Sequence, residues 1–258
     1  MPAPQNPFKT ALAKGEMQFG CWVGLGDPFP AEMMGQAGFD WLVIDGEHGP
    51  NDLRSITAQL QAIEGTGSHP VVRLPVSETY MLKQMLDAGA QTVLIPMVES
   101  ADQARQLVRD VTFPPHGDRG VGFALGRASK FNTITDYGTT ADAEVCLLVQ
   151  VENRRGIAAL DDILQVEGVH GVFIGPADLA ADMGHMGNAD HPEVQTAIMD
   201  AIARIRAAGK APGILSMQDK MTNDAIAAGA QFVAVGADVL LLGNAARALA
   251  KKWQATKG

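Results

Sequence analysis

Eight short apolar runs of strand-like composition, separated by stretches of helical length, constrain this chain more than any other feature. The runs are FGCWVGL (19–25), WLVID (41–45), PVVRLPV (70–76), TVLIPMV (92–98), VCLLVQV (145–151), VHGVFIG (169–175), APGILS (211–216) and FVAVG (232–236). Most are apolar throughout rather than alternating, so both strand faces are buried, as in a parallel sheet. Between them lie Ala-, Gln-, Met- and Leu-rich stretches at 52–64, 78–88, 100–110, 192–208, 218–228 and 239–252. The segments QAGFDWLVID, DAGAQTVLIP and AAGAQFVAVG each set Ala-Gly two or three residues before a strand. A helix that ends in a left-handed residue takes Gly there, because a Cβ would be strained. Repeated strand-then-helix units make right-handed crossovers. Eight of them can close into an α/β (β/α)8 TIM barrel, here a single domain over residues 1–258. The alternative is an open doubly wound sheet, which usually carries GxGxxG after its first strand. This chain has GLGDPFP there.

Composition narrows the partners. Lys+Arg 20 against Asp+Glu 29 gives a net charge of −9. With no basic stretch to neutralise phosphates, neither nucleic acid nor an anionic membrane surface is expected as a partner. No apolar run approaches the ~18 residues of a membrane span, and the N-terminus lacks the apolar centre of a signal peptide. Cys21 and Cys146 sit in strand-like runs and read as buried free thiols of a reducing compartment. A soluble, cytoplasmic protein is expected. Charged residues, at 19%, fall below the usual roughly 25%, which hints at surface covered by other subunits. Residues 113–144 form a connection long enough to be functional or to hold small elements of its own.

In such barrels chemistry sits at the C-terminal strand ends. Strand two ends in Asp45-Gly-Glu47-His48, strand three carries Arg73, strand four ends near Glu99 and strand five in Gln150-Val-Glu152. Strand six ends in Gly175-Pro176-Ala177-Asp178, strand seven at Ser216 after Leu215, and strand eight at Gly236-Ala-Asp238. Glu152 and Asp178 follow consecutive strands, and two carboxylates brought together repel unless a cation or a shared proton intervenes. An oxygen-rich pair favours Mg²⁺ or Mn²⁺; the alternative is a helix cap and an ion pair with Arg154 or Arg155. Arg73, inside an apolar run, needs an anion. It either pairs with Asp45 or Glu47 or holds a substrate oxyanion. His48 is either a general acid/base or a capping histidine.

A Schiff-base aldolase needs a lysine at the barrel mouth. Lys9, Lys14, Lys83, Lys130, Lys210, Lys220, Lys251, Lys252 and Lys257 all fall outside strand C-terminal ends. Carbonyl chemistry here would therefore use a metal as electron sink. SMQDK and GADVLL, after strands seven and eight, do not make a phosphate cradle.

Taken together, Trp22, Asp45-Gly-Glu47-His48-Gly, Arg73, Gln150-Val-Glu152, Gly175-Pro176-Ala-Asp178-Leu and DRGVGFALGRAS (118–129) resemble the hydroxyketoacid aldolases. These are metal-dependent pyruvate aldolases typified by 4-hydroxy-2-oxoheptanedioate aldolase. The resemblance covers roughly residues 17–250. It implies a barrel assembled as a homohexamer, a trimer of dimers exchanging a C-terminal helix. It also implies that Glu152 and Asp178 ligate Mg²⁺, Mn²⁺ or Co²⁺, chelated in turn by pyruvate. Arg73 would then stabilise the enolate, and His48 would move a proton through an ordered water. Gln150 would orient the metal site, and Gly175 and Pro176, with Ala177, would face the pyruvate carboxylate. The family pairs its histidine with an aspartate matching Asp87. That residue ends the helix after strand three, so it should lie on the far face and complete a neighbour's site; otherwise it merely precedes the helix-stop Gly89. Asp45 joins the catalytic set beside Arg73. Leu215, Ser216, Leu125 and Arg127 are candidates for the aldehyde pocket. A CoA-thioester lyase of citrate or malyl type, an oxaloacetate decarboxylase and a non-catalytic acid-binding barrel are the competing readings.

Overall fold

The computed structural model describes residues 1–256, so Lys257 lies outside the described residues. All eight expected strands form. They are β1 (Gln18–Val23), β2 (Trp41–Asp45), β3 (His69–Arg73), β4 (Thr92–Ile95), β5 (Cys146–Val151), β6 (Val169–Ile174), β7 (Ala211–Leu215) and β8 (Phe232–Ala237). Each pairs in parallel with the next in sequence, and β8 closes onto β1. The open-sheet alternative is thereby excluded.

The helices are α1 (Pro7–Lys14), α2 (Pro28–Gly35), α3 (Leu53–Ile63), α4 (Thr79–Ala88), α5 (Ala101–Val111), α6 (Tyr137–Glu144), α7 (Arg154–Ala158), α8 (Leu160–Leu164), α9 (Pro176–Asp182), α10 (Pro192–Ala207), α11 (Asp219–Ala228) and α12 (Asp238–Gln254). Their ends follow local chemistry. Asp52 and Ser55 make a reciprocal capping box at the start of α3. Gly89 and Gly229 stop α4 and α11 at φ 108° and 112°, where a Cβ would be strained.

Alternation along the strands separates two cores. One set of side chains faces outward against the helices. The other fills the barrel, with Trp41 and Val43 of β2, Val71 of β3, Leu94 of β4, Cys146 and Leu148 of β5, Phe173 of β6 and Phe232 of β8. The filling is aromatic. Phe8 lies 5.6 Å from Trp41 and 6.0 Å from Phe232, Phe173 lies 5.9 Å from Phe232, and Trp22 lies 5.4 Å from Phe173. Phe8 comes from α1, which thereby stoppers the N-terminal end of the barrel; burying one such ring contributes about 1.5–3 kcal/mol. Asn6 fixes that helix, accepting from the Lys9 amide and donating to Thr92 Oγ1 at 2.9 Å. The rings fit because small residues oppose them. A Cβ on Gly20 would stand 2.3 Å from the Trp41 ring, and one on Gly213 2.2 Å from Phe232.

Residues 113–144 hold two short 3-10 turns and α6. They join the end of α5 to the start of β5, so they lie at the N-terminal end of the barrel, opposite the strand C-termini. Cys21 and Cys146 are free and buried, as expected, and burial pushes both thiols up to about 12.

Two outcomes follow. Gly213→Ala overpacks the interior and should cost about 1–3 kcal/mol, read as a lowered Tm, with part regained on adding Phe232→Leu. Burial lowers the His69 pKa from 6.5 to about 4, with its Nε2 held 2.8 Å from Thr92 Oγ1. The unfolded chain therefore binds this proton first. The stability contributed by neutral His69 is full above pH 6.5 and is lost as pH falls toward 4, up to ~3 kcal/mol. His69→Gln should flatten the denaturant-measured stability across that window.

Candidate active site

The register that fills the barrel also builds its upper layer. Trp41, Val43 and Asp45 of β2 oppose His69, Val71 and Arg73 of β3. Two steps beyond the last apolar pair, Asp45 and Arg73 therefore meet on the inner face. Arg73 Nε and Nη2 donate to Asp45 Oδ1 at 2.9 Å and Oδ2 at 2.7 Å. Glu47 Oε2 lies 2.7 Å from Arg73 Nη1 but without hydrogen-bond alignment. The guanidinium carbon sits 5.3 Å from the centre of the Trp22 ring. Arg73 is 7% exposed and Asp45 4%, so this is a buried ion pair. Burial raises the Asp45 carboxyl, but the Arg73 bonds and charge and the amides of Glu47 and His48 outweigh it, leaving Asp45 below its ordinary value. Both Asp45 oxygens are thus engaged. Arg73 Nη1 makes no aligned hydrogen bond and has the Glu47 carboxylate beside it.

Across the mouth, Glu152 follows β5 and is 2% exposed. Its Oε2 accepts from Gln150 Nε2 at 2.5 Å and its Oε1 from the Met97 amide at 2.8 Å. Met97 holds φ at 54°, a left-handed strain of about 1–3 kcal/mol, to aim that amide. Burial, joined by the charges of Asp178 and Glu47, pushes Glu152 above its ordinary value against those two bonds. Burial also raises Glu47, ahead of the opposing pull of Arg73 and His48. The two buried carboxylates, Glu152 and Glu47, thus each carry a charge made costly by burial and by neighbouring acids. Gln150 Oε1 is buried with no partner. Gly175 packs so tightly that a Cβ there would stand 2.5 Å from Glu152 Oε2. Asp178 is exposed in the first turn of α9. A mutually repelling oxygen set with an orphaned amide oxygen fits a hard divalent cation. The pairing with Arg154 or Arg155 is not what forms, because Arg154 binds Asp182 and Arg155 binds Glu99.

His48 stands at the rim, 68% exposed, with Nε2 3.8 Å from Glu47 Oε2. Leu215 packs on the inner core from the end of β7. Ser216 is buried and its hydroxyl donates to Gln218 O at 3.1 Å. Pro176 and Ala177 open α9. Asp87 is elsewhere: at the C-terminal end of α4 it lies on the opposite face from His48. There Arg119 Nη2 donates to it at 3.3 Å, with that guanidinium 4.3 Å from the Phe113 ring. Arg127 is also on that face, donating to Ala88 O and pairing with Glu64, so within one chain it is no part of the rim pocket. Glu47, which the sequence offers only as a partner for Arg73, here also acts electrostatically on Glu152 and lies beside His48. Among the described residues no lysine is buried.

The fold and this rim define a class: a (β/α)8 barrel with a buried guanidinium and buried carboxylates gathered at the C-terminal ends of its strands. The family model for HpcH/HpaI aldolase/citrate lyase matches residues 18–245. The chain is 59% identical over 254 residues to a hydroxypyruvate/pyruvate aldolase of Roseovarius nubinhibens, covering 98% of this chain and 99% of that one. It is 53% identical to a 4-hydroxy-2-oxo-heptane-1,7-dioate aldolase of Shigella sonnei, covering 97% and 96%. A crystal structure of a family protein from Burkholderia cenocepacia superposes with a TM-score of 0.93 at 40% identity, covering 97% and 100%. The chain belongs to the HpcH/HpaI aldolase/citrate lyase family. It is a carbon–carbon lyase, a class II aldolase.

A test of the repulsion is available without substrate. The stability contributed by protonated Glu152 is full below its unfolded pKa and is lost as pH rises through the raised value. In cation-free protein at pH 7, Glu152→Gln should therefore raise Tm, while losing the Tm gain that Mg²⁺ or Mn²⁺ gives the parent.

Proposed function

We propose that this chain reversibly cleaves 4-hydroxy-2-oxoacids to pyruvate, or a related 2-oxoacid, and an aldehyde. The observation that carries the reading is the buried Arg73 guanidinium, fixed by Asp45 at the same end of the barrel as the buried Glu152 and Gln150. Glu152 and Asp178 would hold Mg²⁺ or Mn²⁺, with Co²⁺ a further option. That cation, when bound, supplies Lewis-acid polarisation of the 2-oxo group. The chain's own residues do the rest. Arg73 binds the oxygen that turns anionic as the C3–C4 bond parts, in a pocket where a preorganised charge is worth several kcal/mol. The Ala177 and Asp178 amides, unpaired in the first turn of α9, suit the substrate carboxylate. His48, at the open rim, takes the 4-hydroxyl proton through a water; a proton delivered through that water to C3 of the enolate completes pyruvate, and the aldol direction reverses both transfers. Leu215 and Ser216 border the space left for the aldehyde.

Names of relatives that include hydroxypyruvate, pyruvate and a heptanedioate support the 2-oxoacid class and leave the acceptor open. Relatives at 53–59% identity are aldolases, which disfavours the citrate- or malyl-type alternative. Asp87 is proposed to complete the site of a neighbouring copy, since its own His48 is on the other face. The assembly proposed is the homohexamer, with α12 exchanged within dimers. Its support is that α12 leaves Leu241, Leu242, Leu249 and Trp253 more than half exposed and buries only Asp238.

Pyruvate release from a 4-hydroxy-2-oxoacid should stop with EDTA and return with Mg²⁺ or Mn²⁺; activity that survives chelation, or a borohydride-trapped adduct with pyruvate, would overturn the reading. Arg73→Ala should lower kcat/KM by about 10²–10³ and slow pyruvate C3 proton exchange alike, since both need the enolate. Leu241→Glu with Leu242→Glu should reduce the assembled mass measured by sedimentation.

A further inference from the structure

A second set of metal-ligating side chains stands apart from the carboxylates of the mouth. His185 and His191 lie on the connector from α9 to α10, and Glu193 lies in the first turn of α10. One ligand atom from each lies within 4.8 Å of the other two. His185 Nε2 is 3.0 Å from Glu193 Oε2, and the two imidazoles stack with centres 3.5 Å apart and planes 14° from parallel. The connector is folded down rather than loose. The His185 amide donates to Ala180 O at 2.7 Å, the Asn188 amide to His185 O at 2.9 Å, and the His191 amide to Asn188 O at 3.1 Å. Gln195 Nε2 ties Ala189 O at 2.7 Å.

Donor atoms around a tetrahedral ion with bonds near 2.1 Å stand roughly 3.4 Å apart. The His185 Nε2–Glu193 Oε2 separation is already near that scale, and the two stacked imidazoles, whose in-plane lone pairs run nearly parallel, turn relative to one another for both to reach one ion. The Glu193 amide donates to His191 Nδ1 at 3.3 Å, so an ion is taken on His191 Nε2 or in exchange for that contact. Two imidazole nitrogens and one carboxylate oxygen select borderline ions such as Zn²⁺, whereas an all-oxygen set favours Mg²⁺ or Mn²⁺. The partly exposed face leaves room for water in the remaining position.

We infer that His185, His191 and Glu193 form a second, peripheral site for a zinc-type divalent cation, chemically distinct from the Glu152–Asp178 site. An ion there clasps the connector that follows α9 to the first turn of α10, and α9 is the helix that carries Asp178.

The test is titration of the metal-stripped full-length chain with Zn²⁺ alone, followed by calorimetry, with Co²⁺ absorption as a second probe of nitrogen ligation. Glu152→Gln separates the two sites. One Zn²⁺ equivalent should persist in Glu152→Gln and be lost in Glu152→Gln with His185→Gln, and His191→Gln should weaken it at least tenfold. His185→Gln alone should leave Mg²⁺-supported aldol cleavage unchanged, which also reports an intact fold. Zn²⁺ uptake abolished by Glu152→Gln, or equal in stoichiometry and affinity with and without His185, would overturn the site.

Discussion

A single cation inside the barrel sets the terms for everything around it. A buried guanidinium is costly unless its charge is met and its donors are satisfied. Asp45 meets it through two aligned bonds, Glu47 adds charge without alignment, and Trp22 offers a ring face below. Because Asp45 and Arg73 are register partners on adjacent strands, the pair is fixed by backbone pairing rather than by loop conformation. The guanidinium is therefore held rigidly by the strands. Preorganisation of this kind is what makes a charge effective at a developing anion.

The opposite side of the mouth is governed by repulsion. Glu152 is buried, hydrogen-bonded twice and still raised, with Asp178 and Glu47 near it. The left-handed Met97 and the tight contact at Gly175 show that the backbone is bent to keep it there. One cleft thus sets a satisfied cation against under-compensated anions. That asymmetry suits a ligand that is itself anionic and arrives with a divalent ion.

Most of the architecture was legible because parallel strands buried on both faces leave continuous apolar runs, and glycine marks the helix ends. Arg73 and Gln150 announced themselves as polar residues inside such runs. Stepping by two from Trp41 to Val43 to Asp45 would have shown which polar groups face inward. Other features carry no local signal. Helix α1 is eight residues long, and its role comes from the open barrel end it fills. Glu47 neighbours Asp45 in sequence, yet its share in the site depends on a turn that only the folded chain specifies. The long 113–144 connection invited a place beside the mouth, but a link from helix to strand must lie at the other end. Its residues can meet a rim pocket only in another copy of the chain.

The two thiols, sealed in the strands with pKa values near 12, bear on chemical durability. Aldehydes condense with amines and add to thiolates, so a catalyst that handles them courts self-inactivation. Here the sulfur is held protonated behind strand walls, and among the described residues no lysine is buried. The mouth offers a carbonyl compound oxygen anions, an amide, a hydroxyl, an imidazole and a guanidinium, none of which readily forms a lasting adduct with it.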